Sequence, residues 1–121
     1  MVDDHAMLRQ GLRSLVEDYS HLQVVGEAST GVEAIDAVPQ LRPDVVVMDI
    51  NMPQMNGIEA TRRIKEEFPT TAVIGLPVLE GPHIAKEMTE AEICAYLTKE
   101  SAVKELCHAI ENAMKNTEKR V

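Results

Sequence analysis

Asp3, Asp4, Asp49, Asn51 and Lys99 are the residues whose types and positions suit them to chemistry. The acidic pair follows Val2 directly, and Asp49 closes the apolar run Val-Val-Val-Met. Ligands of open α/β sheets bind beyond the carboxyl ends of strands, where strand order reverses. If the two acidic segments are neighbours in such a sheet, three carboxylates converge. Two like charges about 4 Å apart repel by roughly 4 kcal/mol at an effective dielectric of about 20. A hard divalent cation removes that cost, and oxygen ligands with open water positions suit Mg²⁺. The ion screens an incoming phosphate from the carboxylates, which leaves Asp49 as a carboxylate nucleophile for phosphoryl transfer. The expected metal ligands are Asp3, Asp4 and Asp49, with the Asn51 carbonyl aimed at the ion by the loop it opens. Pro53 stiffens that loop, and Gly57 permits a tight joint into the next helix. Lys99 is the cation at a neighbouring strand end, placed to pair with Asp49 at rest and with a phosphoryl oxygen afterwards. Singly, each residue has a plainer role, since acids at strand ends cap helices and a lysine there is solvated. The combination is far more specific than its parts.

The elements that must position these residues alternate in type. Residues 22–28 (LQVVGEA), 45–50 (VVVMDI) and 72–76 (AVIGL) read as strands, with a weaker one at 95–97 (AYL). Residues 45–48 are continuously apolar, as in a strand covered on both faces. Helical spacing of apolar residues marks 7–17, 32–41, 58–68, 82–91 and 101–114, the last with Ser101 as its N-cap. Such alternation implies an α/β fold, a mostly parallel sheet with helices on both faces. Pro39 is expected to end or kink the second helix, because it removes a hydrogen bond and clashes with the Ile35 carbonyl. Residues 116–121 are polar and are expected to fray or to begin a linker, which bounds the domain at 1–115.

Composition narrows the function classes. A chain of 121 residues is one domain. Apolar residues make up 45% and aromatics 2%, so the core must be aliphatic and methionine-rich. A net charge of -8 repels nucleic acid and anionic lipid, which argues against direct DNA binding. No apolar run approaches the ~18–20 residues of a membrane span, and the first residues lack the pattern of a signal peptide. A soluble cytoplasmic protein is expected. Cys94 and Cys107 have no metal spacing and are expected to be buried thiols. Residues 26–31 have P-loop-like glycines, but Val32 stands where a P-loop needs lysine. The four histidines share no ligand spacing and are expected to be solvated or packed.

The strings VDDH, VVVMDINMPQMNGIEATRRIK and AYLTKES closely resemble response-regulator receiver domains, most of all the NarL/FixJ (LuxR-type) subfamily. The resemblance covers nearly the whole chain. It implies a CheY-like, flavodoxin-like, doubly wound sheet of strand order 2-1-3-4-5. It also implies that Asp49 is the phospho-acceptor of a two-component system and that Asp3 and Asp4 are the acidic pair. Asn51 then gives a backbone carbonyl to Mg²⁺, Lys99 is the invariant lysine, and Tyr96 is the switch aromatic. The implied partner is a sensor histidine kinase. The implied output is control of transcription through a DNA-binding domain that these residues do not include. Such a chain is a signalling domain, not a turnover enzyme.

Three positions depart from the family pattern. Pro77 replaces the serine or threonine that hydrogen-bonds the phosphoryl group, and proline has neither hydroxyl nor N–H. Glu92 stands where glycine is common and is expected in the left-handed region at a cost of roughly 1 kcal/mol. Only Met1 and Val2 precede the acidic pair, where the family has a full first strand. A truncated first strand is expected to leave two facing edges open, inviting a homodimer or strand-exchanged oligomer. Pro77 and the short strand suggest a second reading, a phosphorylation-independent pseudo-receiver that works as a protein-interaction module.

Overall fold

A computed structural model of the chain describes residues 1–51, 56–77, 82–113 and 119–121. Pro53 and Met114, to which the sequence assigns roles, lie outside these residues. Among the described residues, five helices and five short strands follow one another: α1 (Ala6–Glu17), β1 (Leu22–Gln23), α2 (Gly31–Leu41), β2 (Val45–Asp49), α3 (Gly57–Glu67), β3 (Ala72–Leu76), α4 (Pro82–Glu90), β4 (Ala95–Tyr96), α5 (Lys99–Ala113) and β5 (Lys119–Arg120).

All strand pairings are parallel. β2 pairs with β3 in the register Asp49↔Leu76, and β3 pairs with β4 in the register Gly75↔Tyr96. Successive β2 side chains point to opposite faces, and both faces are covered. Val45 and Val47 join the apolar cluster of Leu12 and Val16 from α1 and Leu106 and Ile110 from α5. Val46 and Met48 join that of Val38 from α2 and Ile58 and Ile64 from α3. The continuous apolar run therefore forms the middle of a three-layer, doubly wound α/β sandwich, as expected.

The place of the first strand is filled differently from expectation. Val2 bridges Ala28 on one side and Met48 on the other, both in parallel. Its N–H donates to Val47 O at 2.7 Å, and its carbonyl accepts from Asp49 N at 2.8 Å. Residues 1–3 thus lie between the β1 side and β2, which gives the expected 2-1-3-4-5 order when they are counted as strand 1 and β1 to β4 as strands 2 to 5. Below them, β5 pairs with β1 in the register Leu22↔Lys119. Arg120 O accepts from Asp44 N at 2.8 Å, and the Arg120 N–H donates to Asp44 Oδ2 at 3.0 Å. Val121 exchanges hydrogen bonds with Gln23 O and Val25 N and is 1% exposed. The facing edges are therefore paired by both ends of one chain, which corrects the expectation of open edges. An apolar cavity of about 30 Å³ remains between Met1 and Val121, lined by Val2, Val25, Val38 and Val45. The expectation of a fraying tail fails for residues 119–121, because the sheet satisfies their backbone groups.

Smaller departures have local causes. α2 runs through Pro39 to Leu41 and ends at Arg42 with φ 45. Pro39 sits in the last turn, where its missing N–H costs one bond near a terminus. α5 starts at Lys99, and Thr98 rather than Ser101 is its cap: Thr98 Oγ1 accepts from Ser101 N at 3.2 Å. Cys107 is buried as expected, but Cys94 is exposed. Glu92 has φ 67, the left-handed conformation expected there.

Candidate functional site

The carboxyl ends of three segments meet at one point. Asp49 ends β2 and is fully buried. Asp3 follows Val2, and because Val2 is hydrogen-bonded into β2, Asp3 is carried alongside Asp49. Asp3 is 1% exposed, and its Oδ2 is buried without a hydrogen bond. Lys99 enters from the start of α5, just beyond Leu97, whose N–H is held by Gly75 O at 3.0 Å. Its Nζ lies 3.4 Å from Asp49 Oδ2 and 3.6 Å from Asp3 Oδ2. The pairing of Lys99 with Asp49 expected from sequence is thus present. The Asn51 N–H donates to Asp49 Oδ1 at 3.1 Å and fixes the carboxylate plane. Asn56 caps α3 through Glu59 N at 2.9 Å and sets where that helix begins.

One cation does not balance this cluster. Burial, then the charge of Asp3, push the Asp49 carboxyl up from 3.8 to about 6. Single carboxylate or imidazole atoms of Asp3, Asp4, His5 and Asp49 all lie within 4.8 Å of one another. Converging oxygen donors, one of them buried without a hydrogen bond, fit a hard divalent ion. Asp3, Asp4 and Asp49 are the carboxylates that would hold it.

His5 is the residue that sequence reasoning missed. Its backbone N–H donates to Asp3 Oδ1 at 2.8 Å, and its Nδ1 lies 3.3 Å from Asp3 Oδ1 and 3.2 Å from Asp4 Oδ1. Spacing among the histidines carried no hint of this, but its place next to the acidic pair did. Arg9, one turn into α1, binds the Asp3 carbonyl and the Glu27 carboxylate and anchors the acidic turn. The glycines at 26–31 serve a helix start instead of a nucleotide. Thr30 Oγ1 accepts from Glu33 N, and Glu33 reaches back to Ser29 N, a capping box offset by one residue.

Pro77 is buried immediately after Leu76, the β3 partner of Asp49. The strand end beside the acid therefore carries no hydroxyl. Tyr96 lies on β4 and is 43% exposed, next to Gly75 and apart from the acidic cluster.

The family described as the response regulator receiver domain matches residues 1–111. Response regulator GacA of Pseudomonas viridiflava is 36% identical over 110 residues, which are 91% of this chain and 51% of that protein. Transcriptional regulatory protein LiaR of Bacillus subtilis is 37% identical over 119 residues, 98% of this chain and 56% of that protein. The chain thus spans about half the length of these relatives. Among solved structures, a LuxR-family two-component response regulator from Aurantimonas sp. SI85-9A1 superposes with a TM-score of 0.89 at 35% identity, covering 99% of this chain and 85% of that one. The response regulator domain of Thermotoga maritima CheB gives 0.86 at 33% identity, covering 95% and 93%.

Proposed function

Since the chain belongs to the response regulator receiver domain family, we propose that Asp49 accepts a phosphoryl group from a sensor histidine kinase with Mg²⁺ held by Asp3, Asp4, Asp49 and the Asn51 carbonyl. The observation that carries this reading is the buried Asp49 carboxylate with Asp3 and Lys99 gathered around it. An Asp49 oxygen attacks phosphorus, the bond from phosphorus to the donor imidazole breaks, and an acyl phosphate forms. With its carboxyl near 6, Asp49 is ionised and nucleophilic at neutral pH. The Lys99 ammonium follows the charge from the resting carboxylate to a phosphoryl oxygen. A bound divalent cation supplies charge neutralisation for the equatorial oxygens.

The added charge of about -1.5 to -2 biases a two-state surface of α4, β4 and α5, with exposed Tyr96 as its aromatic. On this reading the receiver runs past residue 115 to include the sheet residues 119–121, the surface pairs with a second receiver, and a DNA-binding output domain that these residues do not include controls transcription. The setting is the cytoplasm; among the described residues no helix is long and apolar enough to cross a membrane. The chain is a signalling domain and not a turnover enzyme. Acetyl phosphate should label the protein only with Mg²⁺ present, and Asp49→Asn should abolish the labelling. Label in the variant, or without a divalent ion, refutes the assignment.

Pro77 favours the second reading, a module that binds partners without phosphorylation, because it removes a donor beside Asp49. A hydrogen bond to a charged group is worth ~1.5–3 kcal/mol. Pro77→Ser should therefore raise the extent or lifetime of phosphorylation by about tenfold or more, read on a phospho-gel. An unchanged response would show that the hydroxyl has no role at this position.

A further inference from the structure

We propose that His5 is itself an ion ligand, so that the acidic pocket takes first-row transition ions such as Mn²⁺, Co²⁺ or Ni²⁺ through a nitrogen donor. This rests on the divalent-ion reading above and adds to it a residue, His5, and the nitrogen preference of Co²⁺ and Ni²⁺; Mn²⁺ is suited by the oxygen ligands already.

Donor spacing is the first argument. His5 Nδ1 lies 3.3 Å from Asp3 Oδ1 and 3.2 Å from Asp4 Oδ1. Ligands at about 2.1 Å from one ion, at right angles, stand ~3 Å apart. The imidazole nitrogen thus already stands from each of two carboxylate oxygens at nearly the spacing of neighbouring ligands on one ion. The second argument is the cation already present. Lys99 Nζ is 3.1 Å from the same His5 Nδ1, as well as 3.4 Å from Asp49 Oδ2 and 3.6 Å from Asp3 Oδ2. His5 therefore belongs to the set of groups that share one positive charge.

The ring has no competing structural duty of the kind its position suggests. His5 is the N-cap residue of α1, yet its side chain makes no capping hydrogen bond. Its ring is 64% exposed, so it is not held there by packing. Asp3 Oδ2, buried and without a hydrogen bond, has only the Lys99 ammonium 3.6 Å away and retains room for a closer ligand partner. Carboxylates and water suit Mg²⁺, whereas imidazole adds affinity for later first-row ions, in the order Mn²⁺ < Co²⁺ < Ni²⁺.

The test uses the whole 121-residue protein. Pulsed electron paramagnetic resonance of the Mn²⁺-loaded protein should show ¹⁴N modulation that His5→Ala removes. By calorimetry the same substitution should weaken Ni²⁺ binding by about 10–100-fold and Mg²⁺ binding by less than about threefold. Bound Mn²⁺ without nitrogen modulation, or equal losses for Ni²⁺ and Mg²⁺, overturns the role of His5 and leaves the carboxylate site standing. Failure of the protein to bind any of the three ions overturns both readings.

Discussion

Asp49→Asn should make the ion-free protein more stable at pH 7.5, by up to about 3 kcal/mol, even though it destroys the phospho-acceptor. The Asp49 carboxyl is pushed up to about 6, first by burial and then by the charge of Asp3, from an ordinary value of 3.8. Between those two values the folded protein keeps a proton that the unfolded chain has released. Stability therefore falls as pH rises through that window, and the full penalty is present above about 6. Asparagine carries no charge in either state and keeps an oxygen to accept from Asn51 N. The gain should thus be largest at pH 7.5, shrink through pH 5 and vanish near pH 4. For a chain of this size it corresponds to roughly 10 °C in melting temperature. Mg²⁺ should narrow the gap by stabilising the parent and not the variant, because the ion neutralises the charge that asparagine lacks. Thermal melts in a chelating buffer at three pH values decide the matter. A variant no more stable than the parent at pH 7.5 would mean that Lys99 alone balances the acids.

What the sequence disclosed about this site follows from which features have a period. The unbroken apolar run 45–48 could only be a strand covered on both faces, and it delivers Asp49 to the sheet's carboxyl edge. Lys99 and Pro77 were located in the same way, by the strands they follow. Residues 119–121 gave no such signal. Three residues, two of them charged, show no alternation, and their role comes from the slot beside β1. His5 was only partly legible: its place beside the acidic pair was a hint, but its nearness to Asp49 was not. Metal-ligand spacing is a property of pairs on one helix or turn, whereas His5 meets Asp49 only because Val2 is paired with Met48. Pro39 shows the reverse error. A local rule against proline in helices overrode nothing, because the last turn had one bond to lose and α2 ended two residues later.

Gly57→Ala should be the most damaging alanine substitution among the described glycines, and it reaches Asp49 through the backbone. A Cβ at Gly57 would stand 2.1 Å from the Asp49 carbonyl oxygen and 2.9 Å from both Asp49 C and Ile50 Cα. All three are main-chain atoms, so no side chain can swing aside. Gly57 N donates to Ile50 O at 3.0 Å, so α3 begins directly across the end of β2. No described glycine has a positive φ, so the requirement here is space and not conformation. Helix propensity alone would reward alanine by roughly 0.5–1 kcal/mol. Overpacking against fixed backbone should outweigh that, with a net loss of about 3 kcal/mol and a melting temperature roughly 10 °C lower. Displacing Asp49 by even a fraction of an ångström should also slow labelling by acetyl phosphate by about tenfold or more. Gly11→Ala is the matched control: it lies in α1, its Cβ meets nothing within 4 Å, and it should be neutral or slightly stabilising. If both alanine variants melt together and label alike, α3 does not cross β2 as closely as the register of Asp49 requires.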